Sequence, residues 1–286
     1  MSRLFSGMPM PIAKLFLALL PCFCTLSLSC SADDDDRMTL GVQTLAIADV
    51  KEGLLGTRAP KVGVVVLRKE PGCETPFQAL DVITHINRQV IKSNEDLKDI
   101  VTALTEDKKH RVTYQRSVNG KWQKGDVDFK PKSYKQLIND NLDANKDAVA
   151  EVTTLRDKRS PETPTRTNLQ CRIRETKGGD PALLIRCSYG GDDWLFVEEC
   201  VVKIDGDSTT VKFPRDKKRD NSGGRVWEWF TRVATDEDVK LLNAIASAKS
   251  VTIRFIGSKY KHDYELTEDE QLAVINVLEA YRLRRK

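Results

Sequence analysis

Between Met38 and Pro131 the apolar residues fall in short β-branched and aliphatic runs broken by turn residues, and this pattern limits the fold more than any other feature of the chain. Leu40 to Ile47 ("LGVQTLAI") and Lys61 to Lys69 ("KVGVVVLRK") have strand composition. "DVITHINRQVI" (Asp81 to Ile91) predicts two short strands around Asn87-Arg88, and Arg111 to Phe129 ("RVTYQRSVNGKWQKGDVDF") predicts a hairpin turning at Asn119-Gly120. One stretch differs. Ser93 is a good N-cap with Asp96 in the capping-box position, and Leu97, Ile100, Val101 and Leu104 repeat at helical spacing. Strands with a single helix predict a small α+β domain.

These residues resemble a bacterial PDZ domain of the type that follows the protease in HtrA-type serine proteases. The matching segments are Thr39-Leu40-Gly41-Val42, Gly63-Val64-Val65-Val66, Glu70-Pro71-Gly72 and Asp81 to Asn87, followed by the helix from Ser93, and the resemblance implies a PDZ-like partly open β-barrel with helices. The sequence departs from the family at Ala79-Leu80, where Pro-Gly is usual, so that turn must be built differently. The resemblance implies that an extended peptide adds as a strand to the sheet edge at Val42 to Ile47. It implies that Leu40-Gly41-Val42 forms a loop of N–H groups for the peptide carboxylate, and that Leu97 and Val101 line a pocket for its last side chain. For Leu97 and Val101, plain core filling is the alternative.

The N-terminus has another character. Arg3 and Lys14 precede an apolar run, Leu15 to Cys30, with small residues toward its end, and Asp33 to Asp36 closes it. The run is shorter than the roughly 20 apolar residues of a membrane span and has the layout of a secretory signal. Leu26-Ser27-Leu28-Ser29-Cys30 is similar to a degenerate bacterial lipobox, so Cys30 is the lipidation candidate. Lipid anchoring, simple secretion and a retained anchor all remain open, and each places the folded part in the periplasm or cell envelope.

Beyond the PDZ-like segment, Ser133 to Asp157 predicts a polar helix with Leu137, Leu142, Val149 and Val152 on its apolar side, and Lys158 to Thr167 ("KRSPETPTRT") a linker. From Asn168 the chain alternates with Leu169, Cys171 and Ile173 on one face, and strands continue through turns at Gly178-Gly179, Gly190-Gly191 and Asp205-Gly206. Thr235 caps a helix to Ala248. Thr267 and Glu270 box another, whose inward residues would be Leu272, Ile275, Leu278 and Tyr281. The organisation predicted is a signal segment at 1–30, an acidic linker at 31–37, a PDZ domain at 38–131, helix and linker at 132–166, and a β-rich α+β domain at 167–286. The last resembles uncharacterised C-terminal domains of bacterial envelope proteins, which implies no activity.

"RDNSGGRVWEWF" (Arg219 to Phe230) raises a catalytic alternative, because Ser222-Gly223-Gly224 is similar to the nucleophile loop of trypsin-like proteases. A nucleophilic serine needs a base and an orienting acid. The three histidines are His85 and His110 in the PDZ-like segment and His262 downstream, and the HtrA order puts the protease before the PDZ domain. Turn chemistry explains Ser222 better. Asp192-Asp193 and Asp205-Gly206-Asp207 lack the spacing of a calcium loop, and Cys73, Cys171, Cys187 and Cys200 match no zinc pattern. A Cys171–Cys187 bridge and buried free thiols both fit their strands. Trp194, Trp227 and Trp229 suit a core or a partner surface, and the basic runs at Arg215 to Arg219 and Arg282 to Lys286 suit solvated charge. Lys and Arg exceed Asp and Glu by four (46 − 42), too few to suggest nucleic acid as a partner. The expectation is a peptide-binding adaptor without catalysis, cofactor or metal. A hydrolase using Ser222 or Cys200, and a structural protein with a closed groove, are the rivals. Oligomeric state is not legible.

Overall fold

The computed structural model describes residues 38–50, 55–56, 58–69 and 75–285. The apolar N-terminal run with Cys22, Cys24 and Cys30, the acidic run, Glu70-Pro71-Gly72 and Cys73 lie outside the described residues. Of the described residues 46% are in strands and 20% in helices, which makes the fold mixed α+β and strand-rich, with a curled half-barrel sheet. The chain divides into two compact units, the first ending at Ser133 and the second holding Tyr134 onward.

The first unit is built from β1 (Met38–Thr39), β2 (Val42–Ala46), β3 (Val64–Lys69), β4 (Val82–Ile86), β5 (Gln89–Val90), helix α1 (Asn94–Thr102), β6 (His110–Val118), β7 (Lys121–Phe129) and β8 (Lys132–Ser133). The main sheet runs β2-β3-β4-β6-β7 with β5 on β4, and β1 pairs with β8. Val64, Val65 and Val66 are wholly buried, which is why this strand reads as an unbroken β-branched run. Both tight turns take the left-handed dihedrals of a two-residue hairpin, at Asn87 and Arg88 (φ 49° and 70°) and at Asn119 and Gly120 (51° and 74°). Ser93 and Asp96 form the reciprocal capping box of α1. Leu97 and Val101 then join Leu40, Val66, Ile83 and Phe77 in the core.

The departure at Ala79-Leu80 has a specific solution. Leu80 itself adopts φ 69°, a conformation glycine would take more easily. Its N–H donates to the Val66 carbonyl at 2.8 Å. The buried Asp81 carboxylate accepts the Gln78 N–H at 2.7 Å and a fork from Arg116, Nε at 2.7 Å and Nη2 at 2.6 Å. The turn is thus held from three sides.

The second unit holds α2 (Tyr134–Asp140), β9 (Leu142–Asp147), β10 (Val152–Asp157), β11 (Asn168–Thr176), β12 (Ala182–Gly191), β13 (Val197–Ile204), β14 (Asp207–Lys212), β15 (Lys218–Ser222), β16 (Arg225–Val233), α3 (Asp236–Ser247), β17 (Val251–Gly257), β18 (Lys261–Glu265) and α4 (Glu268–Arg284). Two antiparallel sheets, β15-β16-β12-β11-β10-β9 and β14-β13-β17-β18, share one core with the helices.

Three expectations fail here. The helix predicted over Ser133 to Asp157 stops at Asp140, and β9 and β10 form a hairpin. The Asp147 carboxylate accepts the N–H groups of Val149 and Ala150, both at 3.0 Å, building the turn, so Val149 is fully exposed at the tip rather than on an apolar face. Pairing of the β-branched Val152-Thr153-Thr154 with β11 outweighs helix propensity. Residues 158–167 are no free linker either, since Ser160 and Thr167 are buried against the sheet. Finally, α4 turns Ala273, Val274, Val277 and Ala280 inward; of the expected inward residues Leu278 and Tyr281 pack half-buried against the core, while Leu272 and Ile275 are half-buried outside it. Small side chains allow the helix to approach the sheet closely, near enough for the Cys171 thiol to lie 3.9 Å from the Val274 carbonyl.

Candidate functional site

Strand β2 has a strand neighbour on one side only among the described residues, namely β3. Such an edge presents main-chain groups that a further strand can use. The sequence prepares its start. Gly41 sits at φ 68°, where a β-branched side chain would be strained, and this turn delivers the chain from the buried Leu40 into Val42. Helix α1 lies beside the strand, and its Leu97 and Val101 belong to the same apolar cluster as Leu40, with Val42 packed against it. The structure therefore brings Leu40, Gly41, Val42, Leu97 and Val101 together.

Two details of this place were not legible in the sequence. The Gly41 N–H already donates to Thr39 Oγ1 at 3.0 Å, so the hydroxyl occupies a donor that an incoming carboxylate would use. Thr44 Oγ1 donates to Asn94 Oδ1 at 3.0 Å, tying the middle of β2 to the first turn of α1. Leu97 and Val101 keep only 9% and 6% of their surface exposed, so each packs in the core.

The remaining candidates resolve into structural contacts. Ser222 ends the exposed edge strand β15 and pairs with Arg225 across a turn made by Gly223 and Gly224, at φ 58° and 77°. His262 packs edge-on to Tyr189, with ring centroids 5.3 Å apart. His110 bonds Asn87 and Thr105, and His85 bonds Thr84. Asp205 accepts the N–H groups of Lys249 and Ser250. Cys171, Cys187 and Cys200 are buried free thiols, so the Cys171–Cys187 bridge is not formed. Burial, with Asp157 nearby, pushes the Cys171 thiol up. A hydrogen bond with Cys200, then burial, does the same to Cys187, and thiols held neutral in this way are poor nucleophiles.

The sequence reading missed Glu228. It is wholly buried, and its carboxylate accepts N–H groups from Leu195, Phe196 and Val197 and a bond from Arg219. The available signal was a lone acid on the inward side of an alternating strand, between Val226 and Phe230. No family model and no curated protein matches the chain.

Proposed function

We propose that this chain is an exported adaptor of the PDZ type, without catalytic activity of its own, which binds extended or C-terminal peptide segments of envelope proteins along β2. The observation that supports this most is the edge of β2 that has no strand neighbour among the described residues, lying beside α1 and starting at a left-handed Gly41. A peptide strand added there would gain main-chain hydrogen bonds along Val42 to Ile47, so side-chain preference would be modest and centred on its last residue. Its carboxylate would displace the Thr39 hydroxyl from the Gly41 N–H. Opening Leu97 and Val101 enough to seat a side chain costs packing, and affinity on the order of micromolar follows. The acidic and apolar N-terminal segments, with Cys30 as the lipid attachment point, would carry this module outside the cytoplasm and tether it there.

The test is a fluorescence-polarisation screen of C-terminal peptides against the full chain. Binding that is lost in Gly41→Val while the variant keeps its circular-dichroism spectrum and melting point supports the reading. An absence of binders, or hits that bind Gly41→Val equally well, overturns it.

A further inference from the structure

Residues two apart on a strand share a face, and on the six-stranded sheet Leu169, Cys171 and Ile173 take the core side. The opposite side of β11 therefore carries Asn168, Gln170 and Arg172. In register with them on β12, Ser188 stands opposite Asn168 and Arg186 opposite Gln170. Arg156 of β10, paired with Asp143 of β9, continues the row. Three guanidinium groups are thus gathered on one face.

Residues 158–167 cross this face as a strap. Arg156 Nη1 donates to the Ser160 carbonyl at 2.7 Å, Arg172 Nη2 to the carbonyls of Pro161 and Glu162 at 2.9 and 2.8 Å, and Arg186 Nη1 to that of Glu162 at 3.2 Å. At the far end Thr167 Oγ1 bonds both the N–H and the carbonyl of Gly190, each at 3.1 Å. Gly190 is needed there, because a Cβ would meet the Thr165 carbonyl oxygen at 2.7 Å.

Two requirements of this place are unmet. The first is charge. Arg156 has Asp143 at 2.9 Å and the exposed Glu162 carboxylate at 3.9 Å, but no described residue gives Arg172 or Arg186 an ion-pair partner. Their other contacts are Gln170 Oε1 and Thr231 Oγ1. Burial pulls both guanidinium groups below their ordinary range; for Arg172 the neighbouring Arg186 and Arg156 add to it, and the Glu162 carboxylate offsets it only in part. Buried cations are ordinarily paired with an anion. The second is hydrogen bonding. Asn168 and Ser188 are wholly buried, yet both polar atoms of the Asn168 amide and the Ser188 hydroxyl have no partner. Unsatisfied buried groups of this kind are rare and costly.

We propose that this face is an oxyanion-binding site. A phosphate or carboxylate group bound by Arg172 and Arg186, with its oxygens in the places the Pro161 and Glu162 carbonyls now hold, would supply the missing charge. Guanidinium forks suit both anions. Asn168 and Ser188 lie one register step further along the same face, where a ligand oxygen or the water it brings would satisfy them. The Glu162 carboxylate opposes this ligand, so the site is tuned weak. None of this depends on peptide binding at β2, which belongs to the other unit.

The experiment is isothermal titration of the full chain with inorganic phosphate, and separately with succinate, at constant ionic strength. Saturable binding of either should weaken about tenfold or more in Arg186→Gln, whose side chain is only half-buried, and tighten in Glu162→Gln. The melting point of each variant without ligand checks that it is folded, and Ser188→Ala serves as a second weakening variant should Arg186→Gln unfold. The tighter of the two ligands identifies the class of anion. No saturable binding below about 10 mM, or equal binding by wild type and by whichever weakening variant is folded, overturns the proposal.

Discussion

The N–H of Phe196 donates to Glu228 Oε1 at 2.6 Å, and Phe196 holds φ 56°, a left-handed conformation unusual for an aromatic residue. The same carboxylate takes the N–H groups of Leu195 and Val197 at 3.0 and 3.1 Å and Arg219 Nε at 2.9 Å. Glu228 lies on β16 of one sheet, while Leu195 to Val197 lead into β13 of the other. A single buried carboxylate therefore joins the two sheets and stabilises a strained main chain. The ring of Phe196 it displays stacks on Trp194 at 6.2 Å and lies under Arg219 at 5.1 Å.

Glu228→Gln keeps the shape but loses the charge and one acceptor, leaving an N–H or Arg219 without its partner. The expected cost is about 2 kcal/mol of stability, visible as a lower melting point and urea midpoint. Arg219→Ala should cost less than half of this, because Arg219 is partly exposed and the carboxylate keeps three main-chain donors. If the order is reversed, the arginine rather than the N–H cluster carries the connection.

At Leu80 the expected outcome is an order among substitutions. Leu80→Gly should stay within about 0.5 kcal/mol of wild type, since relief of the left-handed strain offsets the greater freedom of the unfolded chain. Leu80→Val should lose about 1 kcal/mol or more, because a branched Cβ fits φ 69° worst. Denaturant unfolding of the three proteins decides it, and a Val variant as stable as wild type would mean that the Arg116–Asp81 fork sets the turn regardless of side chain.

The sequence showed best those elements whose signals are local. Ser93 with Asp96 and Thr267 with Glu270 form capping boxes, Thr235 caps its helix, and Asn119-Gly120 and Gly223-Gly224 form the tight turns their composition suggests. What failed depended on distant partners. Leu142 and Val152 fit a helical repeat as well as a hairpin, and only the pairing of β10 with β11 decides between them. The strap's prolines and lack of apolar residues look like a linker, and the arginines that hold it lie on three different strands. At β2 the residues brought together were legible through Leu40-Gly41-Val42 and the helix from Ser93. The Thr39 and Thr44 hydroxyl contacts were not, because short polar side chains carry no periodic signature.

The end of the second unit gives a prediction in pH. Tyr264 Oη donates to Glu270, with both carboxylate oxygens at 2.7 Å, and the same carboxylate accepts the Thr267 N–H and hydroxyl at 2.9 Å to cap α4. Burial, then the hydrogen bond to Glu270 and its charge, push the Tyr264 phenol above its ordinary range. The folded state therefore holds this proton more tightly than the unfolded chain does. Below about pH 10 the phenol is protonated in both states and its contribution is complete. As pH rises beyond that, the unfolded tyrosine ionises first, and stability is lost until the folded phenol ionises as well. Tyr264→Phe should be about 1 kcal/mol less stable at pH 8 through loss of the hydrogen bond. Its disadvantage should shrink between pH 10 and 11, because phenylalanine has no proton to lose. Tyr189, which burial also pushes up, is present in both proteins and cancels in the difference. Urea melts of the two proteins at pH 8, 9, 10 and 11 measure this directly, and a gap that stays constant across the series would show that the Tyr264–Glu270 bond does not set the alkaline limit of this domain.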